Sequence, residues 1–225
     1  MQPVTNIPVI TIDGPSGVGK GTLARHLAHK LGWHILDSGA IYRLLALHAQ
    51  KQQLKSSDTA ALAASAAHLD IDCRIQDKQI IYLLHQEDVS ADIRTEACAG
   101  FASEIARIAE LRQLLLAKQR AFKRPPGLVA DGRDMGTVVF PEAVYKIFLT
   151  ASPAERARRR YRELQQKGRT VALELLQQQL TERDQRDRLR SVAPLMPAKD
   201  AIVIDTTDLT ADAVIDQVSA LLEFV

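Results

Sequence analysis

A glycine-rich stretch at residues 14–22, GPSGVGKGT, constrains this chain more than any other feature. Gly14, Gly19 and Lys20 satisfy Gly-x-x-x-x-Gly-Lys-[Ser/Thr], the pattern of a turn whose backbone N–H groups wrap phosphate oxygens. The next residue departs from it: Gly21 stands where a hydroxyl is expected, and Thr22 follows one place later. That hydroxyl ordinarily touches Mg²⁺, so its absence narrows the phosphate chemistry open to the chain. The flanks agree with the motif. Residues 8–13 (PVITID) are β-branched, apolar and of strand length. Residues 22–31 space Leu23, Leu27 and Leu31 four apart, which predicts a helix with one apolar face, ended by Gly32. Phosphates in such a turn sit at a helix N-terminus, where free N–H groups and the helix dipole favour anions.

The same alternation continues downstream. Residues 33–37 (WHILD), 128–131 (LVAD), 144–150 (VYKIFLT) and 201–205 (AIVID) read as four further strands, separated mostly by helical patterns. Ser38 is placed to cap a helix beginning near Ala40. Ser152-Pro153-Ala154-Glu155 reads as a capping box opening a helix to about Lys167, with Gly168 ending it. A further helix is predicted over 171–190, and Thr210 starts a closing one. Alternating residues over 69–75, with a partner over 79–85, predict a hairpin within an insertion at about 60–105, and residues 95–122 read as helix in two pieces. The expectation is an α/β fold, a parallel sheet covered by helices on both faces. Ligands then gather at the carboxyl ends of the strands, where Asp13, Asp37, Asp131 and Asp205 fall.

Composition excludes some classes. The net charge of +2 gives no overall pull toward nucleic acid or membrane, and no apolar run approaches the ~20 residues a membrane span needs. Cys73 and Cys98 form no disulfide framework, which points to the cytoplasm. Positive charge is concentrated: residues 154–190 hold eleven Lys/Arg against six Asp/Glu. Arg156, Arg158, Arg159, Arg160 and Arg162 form one block, and Arg183, Arg186, Arg188 and Arg190 another. Helices carrying such arginines suit a closing lid that neutralises phosphate charge and excludes water, with most of the side chains solvated. Aromatic residues are 4% of the chain and none interleaves with the second block, which argues against a stacking groove for single-stranded nucleic acid.

Two strand ends carry chemistry. Asp131-Gly132-Arg133-Asp134 projects toward the phosphate loop, where Asp131 can orient Mg²⁺ directly or through water. Asp37, Ser38, Tyr42 and Arg43 end the second strand and open a helix. Arg43 suits a second phosphate, because guanidinium binds phosphate through two parallel hydrogen bonds, and Tyr42 can line a base pocket. The six histidines show no ligand-like spacing. An anionic acceptor phosphate needs no strong general base, so none is expected.

GPSGVGKGT, DSGAIYR, DGRDMGTVVFP and RDQRDRLRSVAPL together resemble the bacterial cytidylate kinases, in order and spacing over nearly the whole chain. The resemblance implies a P-loop core with a five-stranded parallel sheet, an inserted subdomain that binds the nucleoside monophosphate, and a short lid at about 154–190. It implies transfer of the γ-phosphoryl of ATP to CMP or dCMP with Mg²⁺. No compelling exposed apolar stripe argues for a dimer, so a monomer without nucleic-acid or membrane partners is expected. By position, Gly14, Pro15, Ser16, Gly17, Val18, Gly19, Lys20, Gly21 and Thr22 hold the ATP phosphates, with Lys20 bridging to the transferred group and Ser16 open to either nucleotide. Arg158, Arg159 and Arg162 are the lid arginines on the ATP side. Arg43, Arg133 and Arg190 bind the CMP phosphate, Ser103, Arg112 and Asp134 read cytosine, and Arg183 and Asp187 hold the sugar. Asp37, Ser38 and Tyr42 complete the CMP side, and no side chain other than Asp131, through water, serves the metal. A P-loop kinase acting on UMP or AMP, or a nucleotide- or RNA-binding module without catalysis, are the rival readings.

Overall fold

The computed structural model describes residues 7–222 apart from 77, 78, 167 and 169. The expected hairpin link and the helix end at Lys167 fall on residues outside that set. The chain divides into two compact units, one reaching to Asp37 and resuming at Arg120, the other Ser38–Gln119.

The first unit is built on five parallel strands in the order β2-β6-β1-β7-β8. They are β1 (Val9–Asp13), β2 (His34–Asp37), β6 (Leu128–Gly132), β7 (Tyr145–Thr150) and β8 (Ile202–Asp205). β1 and β6 are buried along their whole length, as near-continuous apolar runs in a covered parallel sheet must be. β8 is an edge strand, and three of its four residues are exposed. Helices α1 (Lys20–Leu31), α6 (Pro153–Gln166), α7 (Leu173–Arg188) and α8 (Ala211–Leu221) belong to this unit. The core is mostly aliphatic, with Ile10, Ile12, Leu23, Leu27 and Leu36 fully buried beside the aromatic Phe140. Among the described residues no helix is long and apolar enough to cross a membrane.

Register sets the site. Asp37 pairs with Asp131, and Asp13 with both Gly132 and Phe148, so the acidic strand ends lie side by side at one end of the sheet. Asp13 does structural work there: its Oδ1 accepts from Met135 N–H (2.9 Å) and its Oδ2 from Gly136 N–H (2.8 Å). These two bonds anchor a five-residue π-helical turn, Met135–Val139, which follows Arg133 and Asp134. Burial outweighs those bonds and raises the Asp13 carboxyl to about 7.

Gly14 follows β1 at φ 142°, and a Cβ there would stand 2.1 Å from the carbonyl oxygen of Leu149 on β7. Backbone of a central strand cannot retreat from such a clash. Gly14→Ala is therefore expected to lower unfolding free energy by about 3 kcal/mol or more. Urea unfolding measures this, and a loss under about 0.5 kcal/mol would contradict the close approach.

Element boundaries shift modestly from the sequence reading. α1 begins at Lys20 behind a left-handed Gly19, two residues earlier than expected, and ends at a left-handed Gly32. α7 stops at Arg188, leaving Arg190 just beyond the helix. Ser152 Oγ accepts from Glu155 N–H (3.3 Å), but the Glu155 carboxylate turns to Arg159 (3.2 Å), so only half of the capping box forms. Thr210 caps α8 through Ala213 N–H (3.2 Å).

The second unit opens with α2 (Ser38–Lys51) and α3 (Thr59–Ala67), followed by an antiparallel sheet β3-β4-β5. The hairpin strands are β3 (Ile71–Gln76) and β4 (Gln79–Leu84), with the short β5 (Glu87–Asp88) beside β4. Helices α4 (Glu96–Ile105) and α5 (Ala109–Arg120) complete it, α5 ending at the unit boundary. One expectation fails here. Ser38 is itself the first residue of α2, and its hydroxyl donates to Gln119 Oε1 (2.9 Å) instead of capping a helix at Ala40.

Candidate active site

Lys20 sits in the first turn of α1, buried to 7% exposure, and its Nζ donates to the Pro15 carbonyl (2.9 Å) across the loop. The nearest carboxylate is Asp131, with Oδ1 3.8 Å from Nζ. Burial, reinforced by the Arg133 charge, lowers the Lys20 ammonium to about 8, with Asp131 opposing. Burial raises the Asp131 carboxyl to about 6 against the pull of Lys20, and Asp37 adds to the rise. These groups are poised for an incoming anion and cation, since each is short of the charge that would settle it in the interior.

Gly21 lies beside the Asp131 carboxylate. A Cβ at this position would stand 3.4 Å from Asp131 Oδ2 and 3.6 Å from Arg25 Nη1. A hydroxyl-bearing side chain would occupy the space beside the Asp131 carboxylate, which glycine leaves open.

A second cluster adjoins the loop. Arg133 donates through Nη2 to Ser16 Oγ (2.9 Å), through Nε to Asp187 Oδ2 (3.0 Å) and through Nη1 to the Gly132 carbonyl (3.1 Å). Arg190 reaches back so that its Nε donates to the Asp187 carbonyl (3.1 Å), with Nη2 3.7 Å from Asp187 Oδ1. Burial alone would raise the Asp187 carboxyl, but Arg133, Arg183 and Arg190 outweigh it and hold it below the ordinary range. Burial likewise opposes the Arg133 charge, and Asp187, Asp131 and Asp184 overcome it. Three arginines around one carboxylate leave positive charge over for another anion.

Ser16, Lys20, Asp131, Arg133, Arg183, Asp187 and Arg190 are thus gathered at the carboxyl end of the sheet, with Asp37 and the buried Asp134 on the same strand ends. The α6 arginines are not all alike. Arg158 and Arg162 are exposed beside Glu155, at 3.6 and 4.0 Å. Arg159 is tied to the turn after β8, donating to Thr206 Oγ1 (3.0 Å) and to the carbonyls of Thr206, Thr207 and Leu209. Arg156 is an exception to the expected solvated majority: it is 3% exposed and paired with Asp184 at 2.6 Å.

The remaining candidates belong to the second unit. Arg43 Nη1 donates to the Ile93 carbonyl (3.2 Å), and the Arg43 carbonyl accepts from the Cys98 thiol (3.3 Å). Arg112 is buried, donates to the Ala106 carbonyl (3.2 Å) and stacks its guanidinium 5.5 Å from the centre of the Tyr42 ring. The Ser103 hydroxyl is buried with no hydrogen-bond partner among the described residues. Such a group costs about 1–3 kcal/mol unless something accepts from it, so it is an orphan that a ligand can satisfy.

A family model described as Cytidylate kinase matches residues 10–223. The chain belongs to the cytidylate kinase family. A cytidylate kinase of Aeromonas salmonicida is 55% identical over 216 residues, 96% of this chain and 94% of that protein. One from Methylococcus capsulatus is 57% identical over 209 residues, 93% and 94% of the two chains. The family match runs through both units. Arg156 pairs with Asp184 and Arg160 with Glu163, while Arg158, Arg159 and Arg162 share Glu155.

Proposed function

We propose that this enzyme moves the γ-phosphoryl group of ATP to CMP or dCMP, giving ADP and CDP or dCDP, by in-line transfer at the phosphate loop. The observation that carries the reading is the bond from Arg133 to Ser16. It joins an arginine cluster suited to one phosphate directly to the loop that holds another. In the assignment that follows, loop residues 14–22 cradle the ATP phosphates, and Lys20 follows the transferred group. Arg43, Arg133 and Arg190 bind the CMP phosphate, Arg183 and Asp187 the sugar, and Ser103, Arg112 and Asp134 the base. Arg158, Arg159 and Arg162 serve the ATP side. The orphan Ser103 hydroxyl supports its part in base recognition.

The chemistry asks little of side chains as acids or bases. The acceptor phosphate oxygen is already anionic, and the chain's task is to align it and to neutralise the equatorial oxygens in a dry site. Lys20 and Arg190 are buried cations and Arg133 a half-buried one, all already oriented by Asp131 and Asp187, so they need little reorganisation at the moment of transfer. Mg²⁺ fits the residues present: a hydrated ion suits the carboxylate oxygens of Asp131 and Asp37 and the room left by Gly21. When bound it would neutralise phosphate charge during transfer. Cys73 and Cys98 are not joined in a disulfide, which suits a reducing compartment, and we place the enzyme in the cytoplasm as a monomer.

Coupled ADP release with CMP, dCMP, UMP, AMP and GMP tests the acceptor assignment. CMP and dCMP are expected to be fastest by well over tenfold, and equal rates with all five would overturn it. RNA affinity that falls with salt and ignores CMP would favour a binding module instead.

The lowered Lys20 gives a pH signature. In the free enzyme the ammonium is half deprotonated at about pH 8, whereas phosphates favour its charged form. Binding therefore takes up a proton above pH 8, and ATP affinity falls as pH rises, by up to about tenfold per unit. Titration calorimetry from pH 7 to 9.5 checks this. Lys20→Arg, charged throughout the range, is expected to lose the slope.

A further inference from the structure

Ser16 is held from two sides by two arginines that both continue to the same helix. Its hydroxyl accepts from Arg133 Nη2 (2.9 Å) and its carbonyl from Arg156 Nη1 (3.0 Å). Arg133 goes on to Asp187 at 3.0 Å, and Arg156 to Asp184 at 2.6 Å. Asp184 and Asp187 are three residues apart, so they share one face of α7. The result is a closed ring: loop, Arg133, Asp187, α7, Asp184, Arg156, loop. Arg156 is also fixed at its own root. Its Nε donates to the Ala151 carbonyl past the end of β7 (3.1 Å), and a Cβ at Gly17 would stand 3.1 Å from its Cβ.

We infer that Arg156 and Asp184 are positioning residues, pinning α7 to the phosphate loop and so setting the aim of Arg183, Asp187 and Arg190 toward the acceptor nucleotide. Asp184 itself is buried and turned away from solvent, and its Oδ1 has no hydrogen-bond partner among the described residues. A buried ion pair adds little net stability over an apolar pair of similar size. What it supplies here is direction, because a guanidinium that must satisfy Ala151, Ser16 and Asp184 at once tolerates little displacement of α7.

The inference rests on the assignment of Asp187 to CMP, and the experiment separates the two. Asp187→Ala is expected to raise KM for CMP. If it does not, the assignment fails. Given that it does, Asp184→Asn is expected to raise KM for CMP about tenfold, mid-range for coupled neighbouring residues, while KM for ATP stays within about twofold. Arg156→Lys keeps the charge but cannot span all three partners, and it is expected to raise KM for both nucleotides, since it also releases the Ser16 carbonyl. If Asp184→Asn leaves both KM values unchanged, or shifts both equally, the pair is a structural link only and the inference is overturned. Should Asp184→Asn not fold, Arg156→Lys decides: an unchanged KM for CMP in that variant overturns the inference equally.

Discussion

Lys20→Ala is expected to lower turnover by about 10³-fold or more, with the fold intact by far-UV circular dichroism. The ammonium is buried in the first turn of α1, 2.9 Å from the Pro15 carbonyl and 3.8 Å from Asp131, so its position is fixed before substrate arrives. A cation held that way is worth most where charge develops, so its loss should lower kcat; because the charged ammonium also favours bound phosphates, ATP binding should weaken as well, with the loop N–H groups keeping part of the ground-state affinity. Stability is less exposed than activity. Asp131 loses its nearest cation, but Arg133 and Arg25 remain to offset its charge. Steady-state kinetics over the ATP range measures the split. Turnover within tenfold of the parent would show that the transferred group does not pass Lys20.

The sequence makes this end of the molecule readable because the chemistry there is local. A glycine-lysine turn between a strand and a helix can be recognised from a dozen consecutive residues, and the strand ends that flank it are marked by apolar runs terminating in Asp13, Asp37 and Asp131. The order of the strands, β2-β6-β1-β7-β8, is not written in any one segment and comes from the structure. What stayed hidden is contact at long range. Asp13 reaches Met135 over 122 positions, and Arg156 reaches Ser16 over 140. Nothing in PAERARRRYRELQQ separates the buried Arg156 from its exposed neighbours Arg158 and Arg162, because charge looks the same in sequence whether water or Asp184 surrounds it. Ser38 misled for a related reason. A serine before a helical pattern is a cap by propensity, but the helix here starts on it, and the hydroxyl finds Gln119, 81 positions away.

Arg133 carries the second large effect. Arg133→Ala is expected to lower kcat/KM for CMP by about 10²–10³-fold, because one change removes a phosphate-binding cation, the bond to Ser16 and the bond to Asp187. Part of the damage is indirect. Asp187 is 4% exposed, and without Arg133 its charge rests on Arg183 and Arg190. That remaining support limits the stability loss to about 1–3 kcal/mol, below the cost of stranding a buried charge outright. Arg133→Lys separates charge from geometry. Lysine restores the positive charge, but a single ammonium cannot fork between a hydroxyl on the loop and a carboxylate on α7. If charge alone matters, the lysine variant recovers most of kcat/KM for CMP. If the fork matters, as the bond joining Ser16 to the α7 carboxylate implies, it stays within about tenfold of the alanine variant while thermal stability returns. Paired measurement of kcat/KM and unfolding midpoint in the two variants distinguishes these outcomes, and recovery of both together would show that Arg133 acts as a point charge and not as the hinge between the two phosphate sites.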